Sequence, residues 1–464
     1  MVIKKGQHYD VEINGIAFGG KGLTKIGRLA VFVDQALPGD CATIRIVKKK
    51  KSYAEARVVE LLKPSEDRVT APCPYSGFCG GCKWQFLTYE KQLVYKRQHV
   101  AESLKHIGGI RGVTVHPTIP SDLIFGYRNK MEFSCSDRRW LLPDELGQDG
   151  IDTDFALGLH VPGTFYKVLD TRTCLLQPDL GNTILNDVRS HIRQSSKPVY
   201  GLRSHIGFWR FATLRHSVAS DQWMVNIVTA ALDRKELLPL AEQLLNNYPE
   251  VVSIINNVTT RKAGVAVGEF EETIAGKSKI SDRIGPYEFD ISANSFFQTN
   301  TRGAGRLYGV VREYAALDGN QRVLDLYSGT GTIPIVLSAY AREITGIEIT
   351  ASAVADAEQN CVKNEIVNCN FIRGDIKNIL PAVAQIPDVL IIDPPRAGLH
   401  KDVVKQVRKM GANRIVYVSC NPATLARDLS VFIDDYRIQE VQPVDMFPHT
   451  YHIEAVARLV RKKA

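Results

Sequence analysis

The chain has 464 residues, 44% of them apolar and 23% charged, with a formal net charge of +8. That length exceeds one core and implies two or three domains of an ordinary foldable protein, and the modest positive charge permits nucleic acid as a partner without requiring it. No apolar run reaches the ~20 residues of a membrane span and the start, MVIKKGQHYD, lacks the apolar stretch of a signal peptide, so a cytoplasmic monomer with no membrane partner is expected.

Residues 1–62 alternate in the manner of short strands: Tyr9, Val11, Ile13; Leu29, Val31, Val33; Ala42, Ile44, Ile46. Glycines punctuate them, which predicts a small closed or nearly closed β-barrel. Lys48 to Lys51, followed by Tyr53 and Arg57, reads equally as a phosphate contact or as a solubilising hairpin tip.

Residues 63–290 are expected to form a central α+β domain. The nine cysteines are an odd number and three crowd into CPYSGFCGGC, which favours metal binding over a disulfide framework. Gly77, Gly80 and Gly81 let that loop wrap so that Cys73, Cys79 and Cys82 can converge. Cys174, after a polar turn, is a better fourth ligand than Cys135, which ends an alternating run with Met131 and Phe133 and reads as core. Four thiolates suit zinc or a [4Fe–4S] cluster, and spacing does not separate the two. Trp84 to Ile107 reads as a long helix ended by Gly108–Gly109, with Leu87, Val94, Val100, Leu104 and Ile107 along one side and Lys91, Lys96, Arg97 and Lys105 exposed. A further helix is predicted at Leu237–Asn246. Two clusters, Tyr127, Arg128, Lys130, Phe133 and Phe208, Trp209, Arg210, Phe211, Arg215, His216, carry the rings and cations that unstacked bases need, as many cores also do.

Residues 291–464 read as an α/β, Rossmann-like domain. The stretch RVLDLYSGTGTIPIVLSAYAREITGIEI (322–349) gives a buried strand, a tight turn at Gly329 and Gly331, a helix, and a second strand whose last apolar residue, Ile347, is followed by Glu348. An ionised carboxylate there can accept both hydroxyls of a ribose. Pro334 stands where a third fingerprint glycine would be, which favours S-adenosyl-L-methionine over a pyrophosphate-bearing dinucleotide. Strands at Phe371–Ile372, Val389–Ile392 and Ile415–Val418 end against Asp375, Asp393 and Cys420, and strand ends share the ligand crevice of an open parallel sheet. Backbone donors at the helix start after Cys420 should favour its thiolate. Glu454 interrupts an apolar terminal strand, which marks it as a base, with His449 and His452 as alternative proton carriers. Such a thiolate can add to C6 of uracil, so that C5 takes the methyl group, and a base then removes the C5 proton and releases the cysteine. Arg396 in DPPR is suited to holding a phosphate or polarising a carbonyl.

Taken together, GIAFGGKG (15–22), CPYSGFCGGC with Cys174, FFQTN (296–300), DLYSGTGT (325–332), DPPRAGL (393–399), SCNPATLARDL (419–429) and HIEAVARL (452–459) resemble the bacterial 5-methyluridine RNA methyltransferases. The resemblance is strongest to the TRAM-bearing enzymes that modify 23S ribosomal RNA. It implies a [4Fe–4S] cluster on Cys73, Cys79, Cys82 and Cys174, and S-adenosyl-L-methionine contacts at Gln298, Tyr327, Gly329, Glu348, Asp393 and Asp375. It also implies a flipped base positioned by Phe296, and Cys420 and Glu454 as nucleophile and base. The expected function is therefore C5 methylation of uridine in 23S ribosomal RNA; the same chemistry on transfer RNA, or cytosine C5 methylation of RNA, is the alternative.

Overall fold

The computed structural model describes residues 3–262 and 264–463. At the amino-terminal end six strands, His8–Glu12, Gly15–Ile16, Gly22–Ile26, Leu29–Asp34, Cys41–Lys49 and Tyr53–Lys63, form one sheet. Val31, Val33, Ala42, Ile44 and Ile46 are all buried, as period-two alternation requires. The lysine run lies at the turn of the hairpin joining the last two strands, and Lys48 is held by Glu55 at 3.0 Å.

The middle of the chain builds a second six-stranded sheet, in the order Phe270–Gly276, Val251–Val258, Trp223–Thr229, Trp209–His216, Lys130–Ser136, Ala156–Gly158. Helices Asp179–Gln194 and Arg234–Asn247 supply the apolar residues that pack on it. Trp209–His216 is an inner strand, paired on both sides, and its first seven residues are buried. Its cations therefore belong to the core, against the expectation of a base-binding cluster. Arg210 donates to the Thr259 and Arg261 carbonyls, and Arg215 Nη2 donates to Ala293 O at 3.1 Å and Ser295 O at 2.6 Å.

The predicted long helix runs only from Tyr89 to His106. Trp84 and Leu87 form a turn instead, closed by Leu87 N to Trp84 O at 3.1 Å, and Leu87 bridges to Arg68. The exposed face also differs from expectation: Val94 and Ile107 are over half exposed, whereas Lys96 is fully buried.

The iron–sulfur expectation is corrected. Cys73, Cys79, Cys82 and Cys174 do line one cavity of about 340 Å³. Among the described residues, however, no group of three or more His, Cys, Asp or Glu side chains is placed to hold a metal ion. Cys79 Sγ accepts from Gly81 N at 3.3 Å and Cys82 Sγ from Gln85 Nε2 at 3.2 Å. The loop spacing brings the sulfurs to one cavity but not into one coordination sphere.

The carboxy-terminal sheet has eight strands in the order Cys369–Arg373, Glu343–Glu348, Arg322–Leu326, Val389–Ile392, Arg414–Ser419, Glu454–Arg461, Tyr436–Val444, Thr114–Val115. The first five are parallel, and Glu454–Arg461 runs antiparallel to both its neighbours. Val100 and Leu104 of the Tyr89–His106 helix join Leu425 and Leu429 of the Pro422–Phe432 helix in the core on one face. Chain order turns back between Arg322–Leu326 and Val389–Ile392, which puts the ligand crevice at the carboxyl ends of these strands.

Candidate active site

At that switch point the backbone turns sharply. Tyr327, Gly329 and Gly331 all have left-handed φ, +67°, +54° and +77°, and Tyr327 N and Ser328 N both donate to Ile347 O of the next strand. A Cβ at position 329 would meet nothing within 4 Å, so the turn leaves open space on the cleft side. Glu348, at the end of that next strand, accepts from Gly329 N at 3.1 Å through one oxygen and from Thr350 N at 2.8 Å through the other. Each oxygen keeps acceptor capacity, as binding a ribose diol requires. Beneath the turn, Asp325 is buried with neither carboxylate oxygen hydrogen-bonded, and burial, then Asp393 and Glu348, hold it well above the usual carboxylate range.

The next two strands bring up the reactive groups. Asp393 leaves Val389–Ile392 and is pushed up to about 6 by burial. Ser419 pairs with Ala455, so the antiparallel register extended by one residue sets Cys420 across from Glu454. Neighbouring strands lie about 4.8 Å apart, which makes the two side chains immediate neighbours. Burial first, then the Glu454 carboxyl, pushes the Cys420 thiol up to about 11; Arg396 works in the opposite direction. The expected depression of this thiol by the helix start is thus overturned, because desolvation outweighs the donors. Glu454 is buried and held well above its ordinary value by that burial and by Asp393.

One cleft of about 610 Å³ is lined by Phe296, Gln298, Tyr327, Gly329, Glu348, Asp393, Arg396, Cys420 and Glu454. Phe296 is 66% exposed and stands at its mouth. Asp375 does not line it; its carboxylate caps the short helix Ile376–Ile379 by accepting from Lys377 N at 3.0 Å. His452 lines the cleft and burial drives it down to about 4, while His449 stacks on Phe125 at 4.2 Å. Sequence reasoning missed Asn294, Asp356 and Phe447 in the wall.

It also missed what holds the wall. The Asp445–His452 loop leads directly into Glu454, and Lys96 Nζ reaches Asp445 Oδ1 at 2.6 Å and Phe447 O at 2.9 Å. Tyr89 donates to Asp445 Oδ2 at 3.0 Å, and Gln92 Oε1 accepts from His449 N at 2.8 Å. Opposite, Asn129 Nδ2 donates to Gln298 O at 2.9 Å, and the buried Arg215 carries Ala293 and Ser295.

The comparisons with known proteins agree with this geometry. A tRNA (uracil-5-)-methyltransferase family model matches residues 229–388 and 384–462, and a TRAM domain model matches residues 3–59. The chain is 44% identical to an uncharacterized RNA methyltransferase of Chlorobaculum tepidum over 430 residues, 90% of this chain and 89% of that one. It is 39% identical to another from Bacteroides thetaiotaomicron, over 96% and 99% of the two chains. Among solved structures, the Pyrococcus abyssi tRNA (uracil-54, C5)-methyltransferase in complex with S-adenosyl-L-homocysteine superposes with a TM-score of 0.75 at 30% identity, covering 97% of this chain and all of that one. That match to a transfer-RNA enzyme over nearly the whole chain corrects the expected placement among the enzymes that modify 23S ribosomal RNA. The chain belongs to the tRNA (uracil-5-)-methyltransferase family and is an RNA (uracil-5-)-methyltransferase-type enzyme with an amino-terminal TRAM domain.

Proposed function

We propose that the chain methylates C5 of a uridine in transfer RNA, with Cys420 as nucleophile and Glu454 as base. The observation that carries this reading is the strand register that sets Cys420 across from Glu454 inside the cleft holding Glu348 and Asp393. Glu348 would bind the ribose of S-adenosyl-L-methionine, and Gln298, Tyr327, Gly329 and Asp393 would complete its seat; Asp375, which caps its own short helix beside Tyr327, would stand at the edge of that seat. When bound, that cofactor supplies an electrophilic methyl group and a positive charge that favours the ionised carboxylates of the cleft.

Cys420 loses its thiol proton to solvent and its sulfur adds to C6 of the uracil, placing an electron pair at C5. C5 would take the methyl group as the sulfonium S–CH3 bond breaks and leaves a neutral thioether; Glu454 as carboxylate then accepts the C5 proton, and the C6–S bond breaks to return the thiolate. Phe296 at the mouth steadies the uridine outside its stack, and Arg396 polarises a uracil carbonyl or holds its phosphate. We further propose that residues 1–62 and 63–290 serve chiefly to bind RNA and 291–464 to catalyse, in a cytoplasmic monomer.

RNA carrying 5-fluorouridine tests this, since fluorine cannot leave as a proton. A denaturation-resistant adduct that Glu454→Gln still forms and Cys420→Ala does not is expected. No adduct from folded, cofactor-binding protein on its RNA would reject the mechanism.

A further inference from the structure

Away from the cleft, the central part of the chain carries a second concave site, about 440 Å³ in volume, that the reaction above does not use. Three segments meet there. Trp140 N donates to Val168 O at 2.8 Å, which sets the indole beside Lys167. Lys167 Nζ then lies 3.6 Å from the Trp140 ring centroid. The Gly201–Ile206 turn, closed by Gly201 N to Ile206 O at 2.9 Å, brings the Arg203 guanidinium to 3.8 Å from the Tyr166 ring centroid. Arg138 and Arg139 also line the groove, so that four cations face one carboxylate, Asp137; among the described residues only Arg139 of the four is ion-paired, to Glu145 just outside the lining.

Rings with cations already laid over them are fixed stacking platforms in a positive field. Unpaired nucleotides require such a surface: a π-face for the base and cations for the phosphate. A duplex would leave the rings unused, because its bases are stacked on one another. The position suits the same RNA chain that enters the cleft. Thr299 lines both the cleft and the cysteine cavity, and Lys130 lines that cavity at the start of the strand Lys130–Ser136. This seven-residue strand leads straight to Asp137, a path of about 20 Å at about 3.3 Å per residue.

We propose that the groove between Trp140–Lys167 and Tyr166–Arg203 binds an unpaired nucleotide of the RNA substrate, distinct from the target uridine. This rests on the reading of the chain as an RNA methyltransferase. Trp140 makes a direct test possible, because it is 40% exposed whereas Trp84, Trp209 and Trp223 are at most 2% exposed. Stacking of a base therefore quenches one tryptophan.

The experiment titrates the full chain with an unmodified transfer-RNA transcript, single-stranded oligo(U) and an RNA duplex, reading tryptophan fluorescence and anisotropy together. The two RNAs with unpaired bases are expected to quench and the duplex is not. Trp140→Ala should weaken transfer-RNA binding about tenfold and Trp140→Phe should restore most of it, while Arg203→Ala should lower the salt slope of binding by about one. Circular dichroism of each variant guards against misfolding. Binding by anisotropy with unmoved fluorescence, or unchanged affinity in the Trp140→Ala/Arg203→Ala double variant, would overturn the proposal, and a protein ligand alone in the groove would do so too. Methyl transfer is read in the same samples: transfer without quenching removes the groove and leaves the methyltransferase reading, and quenching without transfer does the reverse.

Discussion

The Asp445–His452 loop separates two charged regions built on opposite terms. Behind it, Lys96 and Asp445 are both fully buried and paired, and Tyr89 and the Phe447 backbone complete their hydrogen bonds. In front, Asp393, Cys420 and Glu454 crowd together, with Arg396 as the nearby cation, and all three are pushed toward their neutral forms. The difference teaches where charge holds a structure and where it is kept poised for chemistry. A buried pair whose partners satisfy each other fixes geometry, whereas ionisable groups left desolvated and mutually repelling mark a reactive site.

The comparison can be broken at either side. Removing the reactive sulfur should have the largest effect: Cys420→Ala should cut methyl transfer by about 10⁴-fold or more in single-turnover assays while the chain still melts cooperatively. Behind the loop the reverse is expected. Lys96→Met leaves a buried Asp445 carboxylate uncompensated and should destabilise the protein by about 3–5 kcal/mol in denaturant titration, with activity loss following the unfolding. Removing Asp445's charge as well, in Lys96→Met/Asp445→Asn, should recover part of that stability.

Glu348→Gln exchanges one acceptor oxygen for a donor and should weaken S-adenosyl-L-methionine binding about 10- to 100-fold in calorimetry, as loss of hydrogen bonding to a charged group implies. A smaller and graded effect is expected with pH. A thiol at about 11 yields more thiolate with each added unit, so the single-turnover rate should climb between about pH 6 and about pH 9. Asp393 binds its proton more tightly folded than unfolded, and stability of the free chain should therefore fall as pH rises through about 6. A flat rate profile would show that thiolate formation does not limit the reaction.

The cleft was legible because each strand announces its own end: an apolar run stops at Glu348, Asp393 or Cys420, and a parallel sheet necessarily gathers such ends on one side. Glu454 was legible as a charge at the head of an otherwise apolar strand. The buried scaffold was not. Lys96 falls on a helix face that periodicity assigns to solvent, and its partner Asp445 lies 349 residues further along the chain. Arg215 stood in a cation–aromatic cluster that reads as an RNA surface, yet an inner strand buries it and turns it toward carbonyls 78 and 80 residues away. Cysteine spacing conveyed reach and not coordination geometry, since Cys73, Cys79 and Cys82 come to a shared cavity without forming a metal-holding group. The proposed Trp140–Tyr166 groove was illegible for a related reason: it is assembled from three segments, 137–140, 166–167 and 202–204, that are separated in sequence.

The central claim is tested most directly by incubating the purified chain with methyl-labelled S-adenosyl-L-methionine and unmodified transfer RNA, then digesting the RNA to nucleosides. The account predicts label in 5-methyluridine, abolished by Cys420→Ala. Label in any other nucleoside, or none despite bound cofactor and bound RNA, would contradict it.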